Sequence, residues 1–372
     1  MKKILVGTKS NDYLSKRNFS GLPFAARVVF KKCFDLFKIK SFIRFKFFRK
    51  SEPNELFSFK DFGLNRVDLY HFFSVTYYGK KPWVVTSSVP VPRWNKFEKK
   101  GLTLLSRSNC KAIILLSENC KLKQEEYFEK FQFDGTEIRG KTIVLPPSQE
   151  VLVQDLSMKP KNKLVFIIVG HQILIKGGLE LVRAFRKLSE EGISNFELRI
   201  ISRLDKSGFL DYPESSDHIN EIKTEIKERE YIKYWKMLPN TDVLELIKTS
   251  SVALLPSYAD SYGYSVLEAQ ACGCPVITTN TSALPEINDN EMGWTIEVPL
   301  SKNGRPNVYS PEARLEFSNV LEKGLYTTLK QILEKPEVIN DKGLNSLKNI
   351  KLNHSPEERA NKLYYIYCDA MK

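Results

Sequence analysis

The stretch SVALLPSYADSYGYSVLEAQACGCPVITTNTSALPEI, residues 251 to 287, carries the signals of a strand, a helix and a second strand in succession. Residues 251–255 form a short apolar run that a proline stops, which is typical of a buried strand in an α/β sheet. Residues 263–272 have a helical pattern, and Gly273 stands where a C-cap glycine ends a helix. Residues 275–279 predict the next strand. We therefore expect a β-α-β unit whose loops meet at one edge of a parallel sheet, where ligands bind in such folds.

Two carboxylates mark this unit. Asp260 lies in the loop before the helix, and Glu268 lies on the helix eight positions later. An acidic pair alone is a weak signal, because a solvated loop acid and a helix-surface acid give the same pattern. The stretch also holds four further spaced features: the pair Tyr262-Gly263, the LEA that begins at Leu267, the ACGCPVITTN that begins at Ala271 and the LPEI that begins at Leu284.

Together these features resemble the donor-binding segment of retaining GT-B glycosyltransferases, in the group classed as glycosyltransferase family four. The family's usual pattern is Glu-x7-Glu, so Asp260 departs from it by one methylene. The resemblance implies an α/β fold of the GT-B type, in which two Rossmann-like domains face each other across a cleft and a C-terminal helix returns to the first domain. It assigns Glu268 to the donor ribose and places Leu267 in the donor-binding segment. It assigns Asp260, with the backbone of Tyr262 and Gly263, to the sugar hydroxyls.

A second part of the expected site lies upstream. A strand-like run ends at Gly170 and a helix begins at Gly178, so the loop between them brings Lys176 and backbone N–H groups to a helix N-terminus, which favours a diphosphate. The family's loop has Gly-Arg followed five residues later by Lys. Lys176 matches it, but His171 stands in place of the Arg and supplies less phosphate stabilisation than a guanidinium. We expect Gly170, His171 and Lys176 at the phosphates, with an ordinary loop histidine as the alternative for His171. Arg203, after the next strand, is a candidate replacement for the missing charge.

The earlier part of the chain has the alternating order of a first α/β domain. Its Asp68-x-x-His71 and the S-x-S-x-x-K-x-x-I-x-x-S run over 106–117 are similar to the acceptor-side domain of the same family. This likeness gives His71 an acceptor-side role, and a packed strand histidine is the alternative. The predicted organisation is an acceptor-side Rossmann-like domain over 1–158, a nucleotide-sugar-binding Rossmann-like domain over 159–353 and a helix over 354–372 that packs back on the first domain.

The bulk composition is that of a folded protein, with 42% hydrophobic and 27% charged residues, and 372 residues exceed the size of one ordinary core. The six cysteines show no C-x-x-C spacing or Cys/His cluster, so we expect reduced thiols and no metal site. The N-terminal MKKILVG is too short for a signal peptide, and no apolar run approaches the ~18 residues that cross a bilayer. These observations predict a cytoplasmic protein.

Positive charge is concentrated at the N-terminus. Residues 1–50 hold fourteen Lys or Arg and two Asp, a net charge of +12 out of +13 for the whole chain. Within 24–50, Phe30, Phe34 and Phe37 have the i, i+4, i+7 spacing of one helical face, with lysines between them. This composition is typical of a helix at an anionic membrane surface, and it predicts peripheral attachment to the inner face of the membrane. The alternative is a helix packed in the first domain with a solvated basic side.

The resemblance also implies a reaction. It predicts retaining, metal-independent transfer of a sugar, most simply a hexose, from a UDP- or GDP-linked donor to a glycan or polyprenyl-linked acceptor in polysaccharide or glycoconjugate biosynthesis, without a cofactor. Lys176 and neighbouring N–H groups would offset charge on the departing β-phosphate. Three alternatives remain: a GT-B phosphorylase, a catalytically silent GT-B subunit that activates a partner, and a nucleic-acid-binding protein. The last is disfavoured, because its charge would have to act from residues 1–50 alone.

Overall fold

The structure of the protein, a computed structural model, describes residues 3–10, 12–48, 53–160, 162–205, 212, 214–301 and 304–372. The chain folds as two compact units, Met1–Gln149 with Asn353–Lys372, and Glu150–Leu352. Residues 150–158, which the sequence placed in the first domain, therefore belong to the second unit. The physical reason is a backbone hydrogen bond to the second unit, in which the N–H of Leu152 donates to the carbonyl of Ala271 at 2.8 Å.

The first unit is built on a parallel sheet. Its strands are β1 (Ile4–Thr8), β2 (Val28–Lys32), β3 (Ser58–Phe59), β4 (Leu69–Phe73), β5 (Thr76–Tyr77), β6 (Trp83–Ser87), β7 (Cys110–Leu115) and β8 (Thr142–Val144). The main sheet has the order β2-β1-β4-β6-β7-β8, and β3 pairs separately with β5. The helices that connect them are α1 (Tyr13–Ser15), α2 (Leu36–Phe48), α3 (Pro53–Leu56), α4 (Glu98–Ser106), α5 (Glu118–Phe131) and α6 (Thr136–Arg139).

The basic aromatic segment 24–50 is not one helix, and its last two residues lie outside the described part of the chain. Its first half contains β2, an edge strand that pairs in parallel with β1 along five residues. The helix α2 begins only after Asp35, whose carboxylate accepts a hydrogen bond from the N–H of Phe37 at 3.1 Å. The prediction of a shared helical face is therefore wrong: Phe30 lies in the strand, Phe34 in the link and Phe37 on the helix. A run of valines and Phe favours a strand when a neighbouring strand is available.

The second unit has a doubly wound sheet. Its strands are β9 (Leu164–Gln172), β10 (Phe196–Arg203), β11 (Ile232–Trp235), β12 (Val252–Leu255), β13 (Val276–Thr279) and β14 (Trp294–Ile296). All neighbours pair in parallel in the order β11-β10-β9-β12-β13-β14, which is the 3-2-1-4-5-6 order of a Rossmann fold. The helices are α7 (Gly178–Glu190), α8 (Ser215–Glu228), α9 (Asn240–Lys248), α10 (Tyr264–Ala271), α11 (Pro311–Glu334) and α12 (Val338–Asn353).

Helix α7 anchors the core of the second unit. Its predicted apolar stripe of Leu181, Phe185 and Leu188 is fully buried. The ring of Phe185 lies between Phe166 of β9 and Phe196 of β10, with ring centroids 5.2 and 5.1 Å away. Each such side chain contributes about 1.5–3 kcal/mol when it leaves water. The start of α7, and the loop that leads into it, are thus held firmly against the sheet.

The last helix, α13 (Pro356–Ala370), belongs to the first unit. It begins at the predicted cap, because the hydroxyl of Ser355 accepts a hydrogen bond from a backbone N–H of the first turn. Leu363 and Tyr367 are fully buried in a cluster with side chains of β1, β4, β6 and β7. Arg359, which is 2% exposed, donates to the carbonyl of Leu145 at 2.8 Å. Across the ranges that the structure describes, no helix is long and apolar enough to cross a membrane.

Candidate functional site

The strand order of the second unit reverses between β9 and β12. These strands are direct neighbours in parallel register, although β10 and β11 separate them in the chain. The loop 173–177 follows β9 and leads into α7, and the loop 256–263 follows β12 and leads into α10. Ligands bind in the crevice at such a reversal, outside the carboxyl ends of the strands. The quoted stretch therefore folds as predicted and places its polar loop at this position.

The loops at this edge are locked to one another. The N–H of Tyr258 donates to the carbonyl of Ile175 at 2.8 Å, and the hydroxyl of Ser257 donates to the same carbonyl at 3.1 Å. The carbonyl of Ser257 in turn accepts from the hydroxyls of Thr279 and Thr281, at 2.6 and 2.9 Å. Three successive strand ends thus share one hydrogen-bonded network, which fixes the site before any ligand arrives.

Lys176 and Asp260 meet across the reversal. The Nζ atom of Lys176 lies 2.5 Å from Oδ2 of Asp260 and 3.3 Å from the carbonyl oxygen of Ala259. Oδ1 of Asp260 accepts from the N–H groups of Tyr262 and Gly263, at 3.0 and 2.7 Å. Burial alone would raise the pKa of Asp260, but the Lys176 ammonium and the hydrogen bonds from Lys176, Tyr262 and Gly263 outweigh it and lower that pKa. Asp260 is therefore an ionised carboxylate.

These contacts revise the predicted roles of Asp260, Tyr262 and Gly263. The N–H groups of Tyr262 and Gly263 point at Asp260, so they do not serve as donors to sugar hydroxyls in this arrangement. A carboxylate has about four lone-pair sites, and three of those on Asp260 are occupied by protein groups. The side chains of Tyr262 and Leu267 are 1% and 0% exposed, so they shape the core beneath the site.

Two glycines leave room for the side chain of Lys176 and for the loop that carries it. A Cβ atom at Gly170 would lie 2.8 Å from Cγ of Lys176, so the lysine chain runs directly over this residue. Gly177 has φ of 71°, and a Cβ there would lie 2.2 Å from the carbonyl oxygen of Pro256. The Lys-Gly pair thus allows the β9 and β12 loops to approach closely.

The remaining predicted residues lie at the same end of the sheet. Glu268 lies on α10, directly after the loop that holds Asp260, and is 8% exposed. His171 is exposed, and β9 continues past it to Gln172, so it lies on a strand and not in the expected loop. Arg203 ends β10 in register with Gln172, the residue that follows His171.

His71 is a correction to the expected site. It lies in the middle of β4, is 0% exposed, and stacks on Phe19 with ring centroids 3.9 Å apart. Its Nδ1 lies 2.6 Å from the hydroxyl of Tyr367 and its Nε2 lies 2.8 Å from the hydroxyl of Thr86. Burial and the nearby positive charge of Arg359 hold its pKa well below the ordinary value. His71 is a neutral core residue with no surface for an acceptor.

Sequence reasoning missed a buried carboxylate beneath the site. Glu180, on the first turn of α7, is 2% exposed, and its Oε1 accepts from the hydroxyls of Tyr258 and Ser318, each at 2.6 Å. Tyr258 also stacks on Phe317 of α11, with centroids 4.3 Å apart. The signal in the sequence was that Tyr258 lies two residues before Asp260. The hydrogen bond from Tyr258 to Glu180 holds the loop that carries Asp260.

The thiols are not arranged for catalysis. None of the six cysteines forms a disulfide, and burial raises the pKa of Cys33 to about 11 and those of Cys110 and Cys272 to about 12. In the described ranges there is no group of three or more His, Cys, Asp and Glu side chains that could hold a metal ion.

Comparison with known families identifies the second unit. Residues 154–303 match the family described as glycosyl transferases group 1. The second unit is therefore similar to the domain of group 1 glycosyltransferases over these residues. The matched range contains Lys176, Asp260 and Glu268, so the recognition drawn from residues 251–287 is confirmed.

Curated proteins similar to this chain include a probable sucrose-phosphate synthase of Thermosipho melanesiensis, 22% identical over 60% of this chain and 51% of its own length. The capsular polysaccharide biosynthesis glycosyltransferase CapM of Staphylococcus aureus is 28% identical over 46% of this chain and 38% of its own. The chain thus spans about half or less of the length of these curated relatives.

Solved structures extend the likeness to the whole chain. A glycosyltransferase from Rickettsia africae has a TM-score of 0.60 at 14% identity, covering 100% of this chain and 90% of its own. Anabaena HepE, in complex with UDP-glucose, has a TM-score of 0.58 at 12% identity, covering 98% of both chains. These neighbours show the fold: two Rossmann-like halves of the GT-B type, as the sequence predicted.

Proposed function

We propose that the protein transfers a sugar, most simply a hexose, from a UDP- or GDP-linked donor to a glycan or polyprenyl-linked acceptor. The transfer would retain anomeric configuration, need no metal ion or cofactor, and serve polysaccharide or glycoconjugate biosynthesis. The observation that carries the proposal is the Lys176–Asp260 pair at the strand-order reversal of a domain similar to that of group 1 glycosyltransferases. A cation fixed at this position can stabilise the negative charge that develops on a leaving diphosphate.

Lys176 is the residue that would act on the leaving group. Its ammonium is held by Asp260 and by the carbonyl of Ala259, with 15% of the side chain exposed. A partly buried cation interacts with a phosphate more strongly than a solvated one, because less water screens it. As the bond to the sugar breaks, charge grows on the β-phosphate, and a cation already in place needs little reorganisation. The N-terminus of α7 would add its dipole from the next residues.

Asp260 has a positioning function in this proposal. Three of its hydrogen-bonding sites hold Lys176 and the start of α10, which leaves about one lone-pair site for a sugar hydroxyl. The pair also has no net charge, so Lys176 cannot by itself balance a diphosphate. We assign the additional positive charge to Arg203, whose strand end adjoins that of β9. His171, which precedes Gln172 in the chain, would contribute a hydrogen bond.

Glu268 would hold the ribose. A carboxylate accepts hydrogen bonds from two vicinal hydroxyls at once, and its position on α10 follows the loop that carries Asp260. The UDP-glucose bound by HepE supports a nucleotide sugar as the donor class. The capsular polysaccharide assignment of CapM supports the pathway class. Front-face attack, with the leaving phosphate assisting removal of the acceptor proton, would account for retention.

The proposal is tested by nucleotide release from candidate donors, with water or phosphate as the acceptor. Purified protein is incubated with UDP-glucose, UDP-N-acetylglucosamine and GDP-mannose, with and without EDTA and phosphate, and nucleotide release is measured. The expected result is release from one donor, insensitive to EDTA, with retained configuration of the product by NMR. Lys176→Ala should lower kcat/KM at least a hundredfold, about 2.7 kcal/mol, whereas the surface variant Lys248→Ala should not change it.

Other outcomes would identify another function. Sugar phosphate formed only with added phosphate would indicate a phosphorylase. No release from any donor, with release on addition of a partner protein, would indicate a silent subunit. Loss of activity in EDTA that is restored by a divalent cation would contradict metal independence.

A further inference from the structure

Helix α2 has an apolar face that is exposed to solvent. Ile39, Phe42, Ile43 and Lys46 follow the i, i+3, i+4, i+7 spacing of one helical face, and the three apolar residues are 42%, 66% and 49% exposed. The helix packs on its own unit through Phe37, whose ring centroid lies 5.3 Å from that of Tyr78. One face of α2 is therefore attached to the unit, and an apolar face remains in solvent.

The loop 60–66 adds a second apolar element to this face. Phe62 and Leu64 are 70% and 69% exposed. Asn65 ties the loop to the start of α2, because its Oδ1 accepts from the N–H of Phe34 at 3.0 Å and its Nδ2 donates to the carbonyl of Phe34 at 2.9 Å. Phe34 itself is 44% exposed. The two elements are thus joined at Phe34, and both carry exposed apolar side chains.

The acidic side chains just before α2 and in the loop 60–66 are turned inward. Asp35 is 4% exposed and lies 3.1 Å from the ammonium of Lys9. Asp61 is 0% exposed and accepts from the hydroxyls of Tyr70 and Tyr77. The exposed cations on the same two elements and the adjoining end of β2 are Lys31, Lys32, Lys38, Lys40, Lys46 and Arg66.

We propose that this face binds the surface of an anionic lipid bilayer. The α2 face is defined here as Phe34, the exposed residues of α2 and the loop 60–66. Protruding apolar side chains enter the boundary between headgroups and acyl chains, while long basic side chains keep their charge at the headgroup level. A protein partner would need a complementary shape, whereas a bilayer accommodates separate projections. The enrichment in cations selects anionic lipid.

The inference adds the loop 60–66 to the membrane segment expected from sequence, and it rests on the proposed function only in the choice of a lipid-linked acceptor. Vesicle binding needs neither donor nor acceptor, and nucleotide release needs no membrane. Failure of one measurement therefore leaves the other unaffected, and the two proposals can be judged separately.

The experiment is co-sedimentation of the full chain with phosphatidylcholine vesicles, with or without phosphatidylglycerol, at low salt and at about 0.5 M salt. Two double variants are compared with the wild type: Phe42→Ser with Ile43→Ser on the helix, and Phe62→Ser with Leu64→Ser on the loop. The matched control is Leu122→Ser with Leu315→Ser, whose side chains are 64% and 63% exposed but lie elsewhere. Melting temperatures confirm that each variant is folded.

We expect binding to the anionic vesicles alone, weakened by salt, with a partition coefficient at least tenfold lower in each double variant and unchanged in the control. Equal binding to neutral vesicles, equal losses in the control, or no loss in the loop variant would overturn the proposal. Self-association of the wild type that the same substitutions abolish in the absence of lipid would assign the face to a second copy instead.

Discussion

Nζ of Lys176 lies 2.5 Å from Oδ2 of Asp260, although 84 residues separate them in the chain. The other oxygen of the same carboxylate accepts the N–H groups at the start of α10. A short side chain suits this double task, because the carboxylate must stay close to its own backbone to meet both N–H groups. The departure from Glu to Asp at this position thus has a geometric explanation.

Lengthening Asp260 should therefore harm the site. Asp260→Glu moves the carboxylate outward by one methylene, so we expect it to lose the contacts with the N–H groups of Tyr262 and Gly263 and to lower kcat/KM about tenfold or more. Asp260→Asn keeps the size but removes the charge that holds Lys176. It should cost at least as much. Steady-state kinetics decide this, and an Asp260→Glu variant with higher activity than the wild type would show that the geometry is not adapted to aspartate.

Arg203 should supply charge that the neutral Lys176–Asp260 pair lacks. Arg203→Gln is expected to weaken UDP or GDP binding by about tenfold, close to 1.4 kcal/mol, with little effect on binding of the nucleoside alone. The matched control is Lys233→Gln, an exposed cation within the neighbouring strand β11. Isothermal titration measures both. Equal affinities for the diphosphate in the two variants would remove Arg203 from the site.

Gly170→Ala should displace Lys176 without unfolding the domain. The added methyl would lie 2.8 Å from Cγ of the lysine, so the ammonium has to move away from the phosphate position. We expect kcat/KM to fall at least tenfold while the melting temperature changes by a few degrees. Gly140→Ala is the control, because the nearest atom to its added methyl is 3.7 Å away. Normal turnover in Gly170→Ala would contradict the assigned path of the lysine chain.

The stability of the first unit should depend on pH through two buried histidines. Burial lowers the pKa of His71 and of His354, so both are neutral when folded and bind protons on unfolding. Their contribution is complete above the ordinary value of 6.5 and is lost as the pH falls below it. Each adds a slope of up to about 1.4 kcal/mol per pH unit to the free energy of unfolding.

Urea unfolding between neutral pH and about pH 5 measures this slope, since carboxylates contribute mainly at lower pH. His71→Gln should be less stable at neutral pH but should show a smaller loss on acidification than the wild type. The control Leu122→Ser, at an exposed side chain that does not titrate, should keep the slope of the wild type. An unchanged slope in His71→Gln would show that His71 does not control the pH dependence.

Local signals explain what the sequence predicted well. The β-α-β order of residues 251–287, the stripe of Leu181, Phe185 and Leu188, and the cap at Ser355 depend on periodicity and on hydrogen bonds within a few residues. The positions of Lys176 and Asp260 at the strand-order reversal could also be predicted from the sequence, because both residues follow strands. Their hydrogen bonds could not be predicted, since these depend on how closely the two loops approach each other.

Distant contacts explain what the sequence could not give. The segment that forms β2 became a strand because β1 offers it a partner, a choice that a short apolar run leaves open. His71 is buried by Tyr367, 296 residues away, and no local pattern records that contact. Glu180 is hidden in the same way, because its partners lie 78 and 138 residues further along the chain.

The most direct test of the account is isothermal titration of UDP and GDP, with uridine and guanosine, into the wild type, Glu268→Ala and Lys176→Ala. We predict that one diphosphate binds the wild type, that Glu268→Ala weakens it by at least about thirtyfold, close to 2 kcal/mol, and that Lys176→Ala weakens the diphosphate but not its nucleoside. Absence of binding by either diphosphate, or equal affinity in all three proteins, would contradict a donor site at the strand-order reversal of the second unit.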